Sequence, residues 1–157
     1  MNKETSWQAK SFNNLSVQQL YDLLKLRVDI FVVEQTCFYA DLDSDKDNLD
    51  RHDETIHLLG YQGGELVAYL RILAKGQSYS DYPSIGRVAI AKQARNQGLG
   101  HVLMHEALKL CHQHFPHQKI KISAQEHLKH FYQQHDFEQI SEMYLEDDIP
   151  HIAMRSL

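Results

Sequence analysis

Two cysteines in 157 residues, Cys37 and Cys111, are too few for a disulfide framework or a thiolate metal site, and packing as reduced thiols is the role left to them. Long apolar runs are missing too. A stretch such as Ile30 to Val33 is far short of the roughly 20 residues that cross a bilayer, so no membrane partner is expected. The polar start Met1-Asn2-Lys3-Glu4 lacks the apolar core of a secretion signal, which points to a cytoplasmic protein. Positive charge is in deficit: 16 Lys and Arg face 21 Asp and Glu, and no basic stripe offers a nucleic acid its phosphate partners. Neither Gly-Lys-Ser nor Gly-Lys-Thr occurs, which excludes a Walker-type phosphate loop.

Repeats and low-complexity segments are absent as well, and the chain reads as one α/β domain over residues 1–157 that buries about two-thirds of its unfolded surface. Trp7 to Phe12 alternates weakly as an opening strand. Ser16 and Gln19 form a capping box ahead of a helix carrying Val17, Leu20, Leu23, Leu24 and Val28. Ile30 to Glu34 fits helix or strand. His57 to Tyr61 and Glu65 to Leu73 are strands joined over Gly63-Gly64, a hairpin signal. A polar loop runs from Ala74 to Pro83. Beyond Pro116, a strand from Lys119 to Ser123, a helix from Glu126 to His135, and strands Phe137 to Tyr144 and Ile149 to Met154 complete a mixed, mostly antiparallel sheet of six to seven strands with about four helices.

The most telling segment lies between these. Ser84-Ile85-Gly86-Arg87-Val88-Ala89-Ile90 is a strand; Leu99, Val102, Leu103, Ala107 and Leu110 mark one face of a helix; Arg95-Asn96-Gln97-Gly98-Leu99-Gly100 is the turn that joins them. Backbone N–H groups at such a helix start are unpaired and carry the positive end of the dipole, so they bind an anion without a charged side chain. A dinucleotide fingerprint needs three glycines in another spacing.

Arg95-x-x-Gly98-x-Gly100 after that strand resembles the coenzyme A pyrophosphate motif of the GNAT acyltransferases, and the order of elements from Leu20 to Met154 is similar to theirs. The nearest likeness is to the ElaA-type branch. It is carried by Leu26 to Gln35, Ala68-Tyr69-Leu70-Arg71, Ile85-Gly86-Arg87-Val88, Ser123 to Leu128, Phe131-Tyr132 and Tyr144 to Ile152. Asn96, Asp136 and Asp148 stand where that branch usually has glycine; Asn and Asp tolerate left-handed backbone better than other side chains.

The resemblance implies a sheet splayed at its centre to form an acetyl-CoA cleft. The backbone of Val88, Ala89 and Ile90 would pair with the pantetheine arm. N–H groups from Gln97 through Gly98, Leu99 and Gly100 to His101 would hold the pyrophosphate, with Asn96 in the same turn and Arg95 adding charge. A primary amine of a small molecule or peptide would attack the thioester directly and expel the thiolate. Tyr132, in Phe131-Tyr132-x-x-x-Asp136-Phe137, is then the proton donor to sulfur, since a phenol of pKa about 10 is close to a thiol in acidity. Packing is the other role open to it, because Leu128, Phe131, Tyr132 and His135 share one helical face.

The amine must itself lose a proton, and Glu34, His57, His127, Glu146 and His151 are the candidate acceptors, Glu34 first. Gln35, Arg71, Glu146, Asp147 and His151 are expected to meet the acceptor substrate; Arg71 and Arg87 could bind its carboxylate or pair with protein acids. Asp41, Asp43, Asp45, Asp47, Asp50 and Asp53 read as a solvated loop. It lacks the glycine and closing glutamate of an EF-hand. His112-x-His114-x-x-His117 has no Cys or carboxylate to complete a tetrahedral set, so no metal is expected. A non-catalytic acyl-CoA sensor, and an enzyme using a longer acyl-CoA or an alcohol, are the alternatives. A homodimer could form through an exposed edge strand.

Overall fold

Ser16 Oγ accepts the Gln19 N–H at 3.0 Å while Gln19 Oε1 accepts the Ser16 N–H at 3.0 Å, so the capping box is formed and opens α1 (Val17–Arg27). Such a cap contributes about 1 kcal/mol by satisfying two donors that the helix leaves free. The computed structural model describes residues 3–44, 46 and 48–157. Met1 and Asn2 of the polar start, and Asp45 and Asp47 of the first acidic cluster, lie outside the described residues.

No Gly or Pro stops α1, and it widens into a π-helix, Val28–Glu34, in which the Gln35 N–H reaches back to the Ile30 carbonyl at 3.1 Å. The stretch that fitted helix or strand is therefore helical. The same element lays Ile30, Phe31, Glu34 and Gln35 along the wall of the central cavity.

Among the described residues eight strands form one sheet: β1 (Ser6–Lys10), β2 (Ile56–Gln62), β3 (Glu65–Leu73), β4 (Ser84–Ile90), β5 (Lys121–Gln125), β6 (Phe137–Gln139), β7 (Tyr144–Glu146) and β8 (Ile149–Ser156). Their order is β1-β2-β3-β4-β5-β8-β6, with β7 also on β8. All neighbours are antiparallel except β4 and β5. The sheet exceeds the expected six to seven strands because Phe137 to Tyr144 is two strands. Ser141 Oγ accepts the Ala153 N–H at 2.9 Å, taking the place of a strand carbonyl and interrupting the ladder.

Among the described residues the α-helices are α1, α2 (Leu99–His114) and α3 (Lys129–Gln133), one fewer than the four helices expected. Glu126–Leu128 is a 3₁₀ turn, which shortens the helix read over residues 126–135. The hydrophobic core lies between sheet and helices: β3 is buried from Leu66 to Leu73, and Leu103, Met104, Ala107 and Cys111 of α2 and Leu23 and Leu26 of α1 pack with it. Val102, placed on that face by its spacing, is exposed instead. Among the described residues no helix is long and apolar enough to cross a membrane.

Candidate active site

β4 and β5 touch at one register pair, Ser84 with Lys121, and then part. On its other side β4 stays paired with β3 except at a bulge, where Arg87 and Val88 together lie opposite Leu70 and Arg87 takes a positive φ of 54°. Bulges of this kind bend a strand and release backbone groups from the ladder. The opening left between β4 and β5 belongs to a cavity of about 1050 Å³, lined by Gly86 to Ile90, by Ile122 to Gln125 of β5 and by the start of α2.

At that start Gly98 adopts φ 71°, the left-handed conformation that glycine reaches at no steric cost. Among the described residues the N–H groups of Gln97, Gly98, Leu99 and Gly100 have no backbone acceptor, whereas His101 donates to the Gly98 carbonyl at 3.2 Å. The free donors therefore end one residue earlier than read from the sequence. Arg95 Nε donates to the Ile90 carbonyl at 3.1 Å, and Arg95 Nη1 lies 2.7 Å from Glu34 Oε1. That arginine holds the Glu34 carboxyl below its ordinary range.

Asp41, Asp43 and Asp50 of the first acidic cluster are not solvated but paired, while Asp53 is exposed as expected. Asp41 is 4% exposed while its neighbour Leu42 is 57% exposed, the reverse of what polarity alone dictates. Arg27, fully buried at the end of α1, donates from Nε to Asp41 Oδ2 and from Nη1 to Asp50 Oδ1, both at 2.8 Å. Arg71 Nη1 reaches Asp43 Oδ2 and Asp50 Oδ1, each at 2.8 Å. Arg87 Nε binds Asp41 Oδ1 at 2.9 Å, and the Tyr39 hydroxyl donates to the same oxygen at 2.8 Å. Burial opposes the charge on Asp50, but the hydrogen bond from Arg27, reinforced by Arg71, holds its carboxyl well below the usual range. Of the two roles open to Arg71 and Arg87, the structure shows pairing with protein acids. Sequence reasoning missed Arg27 and Tyr39; the available signal was three arginines on three separate elements facing a run of aspartates.

Tyr132 is buried against Phe131 and Phe137 and lines the cavity, and burial pushes its hydroxyl up to about 12. No hydrogen bond to that hydroxyl is made among the described residues. Glu34, Gln35, Glu146, Asp147, His151 and His127 line the cavity as well, and Gln125 Nε2 donates to Gln35 Oε1 at 3.4 Å across it. His151 Nε2 lies 3.2 Å from Glu146 Oε2, while Nδ1 contacts the Ile149 carbonyl at 2.7 Å. His57 is elsewhere, buried between Tyr69 and the Asp50 carbonyl. Cys37 is not a packing thiol: it lines the cavity with Sγ 3.8 Å from the Asp147 carbonyl. No group of three or more metal-ligating side chains occurs among the described residues.

A sheet parted beside a bulged strand, with free N–H donors of a long helix at the mouth of the opening, defines an acyltransferase architecture. The chain matches the family described as Acetyltransferase (GNAT) domain over residues 28–157, and it belongs to the GNAT acetyltransferase family. It is 43% identical to protein ElaA of Escherichia coli (strain K12) over 148 residues, 94% of each chain. The crystal structure of E. coli ElaA superposes with a TM-score of 0.89 at 41% identity, covering 98% of this chain and 100% of that one. An acyl-CoA N-acyltransferase from Pseudomonas aeruginosa matches with the same TM-score, identity and coverage. An aminoglycoside 6′-N-acetyltransferase complexed with coenzyme A shares the fold, with a TM-score of 0.70 at 14% identity over 95% of this chain and 96% of that one.

Proposed function

We propose that this protein transfers an acetyl group from acetyl-CoA to a primary amine by direct attack. The observation that carries the reading is the parting of β4 from β5 next to four unpaired N–H groups at the start of α2. One feature offers strand-like hydrogen bonds to an amide-bearing arm, the other holds a diphosphate. The structurally similar aminoglycoside acetyltransferase is a complex with coenzyme A. In this reading Val88, Ala89 and Ile90 receive the pantetheine arm, Gln97 to Gly100 receive the diphosphate, and Arg95 adds charge.

The amine nitrogen adds to the thioester carbonyl, the C–S bond breaks, and the sulfur takes the Tyr132 hydroxyl proton. A phenol kept protonated by burial holds that proton throughout the neutral range. Glu34 is the proposed acceptor of the amine proton. Its carboxylate becomes a better base when Arg95 turns from it to the diphosphate. Arg71 and Arg87 are neutralised by Asp41, Asp43 and Asp50, whereas Glu146 and Asp147 line the cavity, so the acceptor end is acidic and suits a cationic amine.

Calorimetric titration with acetyl-CoA, coenzyme A and ATP tests the reading. Saturable binding of both coenzyme A species and none of ATP is the expected result, followed by thiol release in a screen of diamines, amino acids and peptide N-termini. Absence of acetyl-CoA binding would overturn it.

A further inference from the structure

His101 and His135 are hydrogen-bonded to each other, Nδ1 to Nε2, at 2.9 Å. They come from different elements, His101 from the first turn of α2 and His135 from the residues after α3. Phe131 braces both rings, with centroids 4.8 Å from His101 and 5.2 Å from His135. The same ring lies over Gly100, where a Cβ would sit 3.4 Å from it, so the pair is built against the turn that presents the free N–H groups. His101 also lines the cavity.

Two neutral imidazoles carry two protons on four nitrogens. One proton occupies the bridge, which leaves the ring donating it with a bare outer nitrogen. A third proton places N–H at both outer positions, keeps the bridge and makes the pair a cation. Burial and the adjacent His101 lower the proton affinity of His135 in the free protein; His105 of α2 adds to this, and Asp136 opposes it. An anion brought to the start of α2 reverses that balance, because it stabilises the charged form.

We infer that the His101–His135 pair is a protonatable clamp for the coenzyme diphosphate, taking up one proton as the diphosphate binds and presenting an imidazolium to it. His101 faces the ligand; His135 is a positioning residue that shares the added proton through the bridge. The inference rests on the coenzyme A reading proposed above and adds a proton to its binding equilibrium.

Titration calorimetry of acetyl-CoA at pH 7 in phosphate and in Tris, whose ionisation enthalpies differ, counts protons exchanged on binding. The wild type should take up about half to one proton more than His135→Gln or His101→Gln, and its affinity should exceed theirs by roughly 3- to 10-fold at pH 6.5 and by much less at pH 8.5. Any titration of the ligand's own phosphates is common to all three proteins and cancels in the comparison. Both histidines are at least partly exposed, so the variants retain the core. Equal proton counts in the three proteins, with binding intact, would overturn the clamp alone. Failure of the wild type to bind acetyl-CoA would overturn the coenzyme A reading and the clamp with it.

Discussion

Glu34 Oε1 lies 2.7 Å from Arg95 Nη1, so the end of the π-helix is tied directly to the turn before α2. One arginine thus serves a carboxylate in the free protein and a diphosphate in the proposed complex. Glu34→Gln removes a competitor for Arg95 and should tighten acetyl-CoA binding several-fold while lowering kcat by ~10²-fold or more. Arg95→Ala should weaken binding by ~10-fold, about the worth of one charge-assisted contact. Calorimetry and steady-state rates on the two variants check both, and looser binding by Glu34→Gln would contradict the shared role.

Tyr132→Phe removes one oxygen from a ring already packed between Phe131 and Phe137, so folding and acetyl-CoA affinity should be unchanged. Loss of a proton donor costs about 10² to 10⁴ in rate. With the hydroxyl pushed up to about 12, the wild-type rate should show no loss of donor up to pH 10. A variant with wild-type kcat would return Tyr132 to a packing role.

Asp41 accepts hydrogen bonds from Arg27, Arg87 and Tyr39, and Arg27 is fully buried. Removing one partner from a buried ion pair strands the other charge, which costs about 3–5 kcal/mol. Asp41→Ala should lower the urea midpoint accordingly. Asp53→Ala, at an exposed aspartate of the same segment, should leave it within about 0.5 kcal/mol.

His57 reports on the same region through pH. Its Nε2 faces the Asp50 carbonyl, so that nitrogen carries the proton and Nδ1 accepts from the Tyr69 hydroxyl. Burial lowers its proton affinity in the folded state. The unfolded chain therefore binds the proton first as pH falls below about 6.5, and the stability associated with neutral His57, complete above that pH, declines below it. Denaturant melts at pH 7.5 and pH 5.5 should show this loss in the wild type and a smaller one in His57→Gln.

Asn96, Asp136 and Asp148 have φ of 62°, 63° and 61°. A side chain in this region costs up to about 1–2 kcal/mol, less for Asn and Asp. Asp136→Gly and Asp148→Gly should each raise the melting temperature by a degree or more. An unchanged or lowered value would show that local hydrogen bonding offsets the strain.

Those three positions also show how far the sequence could be read. Their need for left-handed backbone was legible from the glycine usual in the family, because turn geometry is local. The capping box at Ser16, the hairpin over Gly63-Gly64 and the strand-turn-helix around Gly98 were legible for the same reason. The acidic loop was not. Asp41, Asp43 and Asp50 look solvated until Arg27, Arg71 and Arg87 arrive from three separate elements, and no local pattern records that meeting. The break at Ser141 escaped likewise, since a hydroxyl standing in for a strand carbonyl has no periodic signature.

The single pairing of Ser84 with Lys121 means that β1 to β4 and β5 to β8 meet along the sheet at one rung. A ligand whose amide groups fill the gap beyond it supplies missing rungs, and it binds the folded chain but not the unfolded one. Such a ligand acts as a folding partner by mass action, adding about 2.7 kcal/mol when its free concentration is a hundred times its dissociation constant. If that ligand is a coenzyme A species, with or without its acetyl group, the resistance of the folded protein to proteolysis should rise with the total coenzyme A concentration, and loss of the acetyl group alone would leave the protein without a substrate but not without this support.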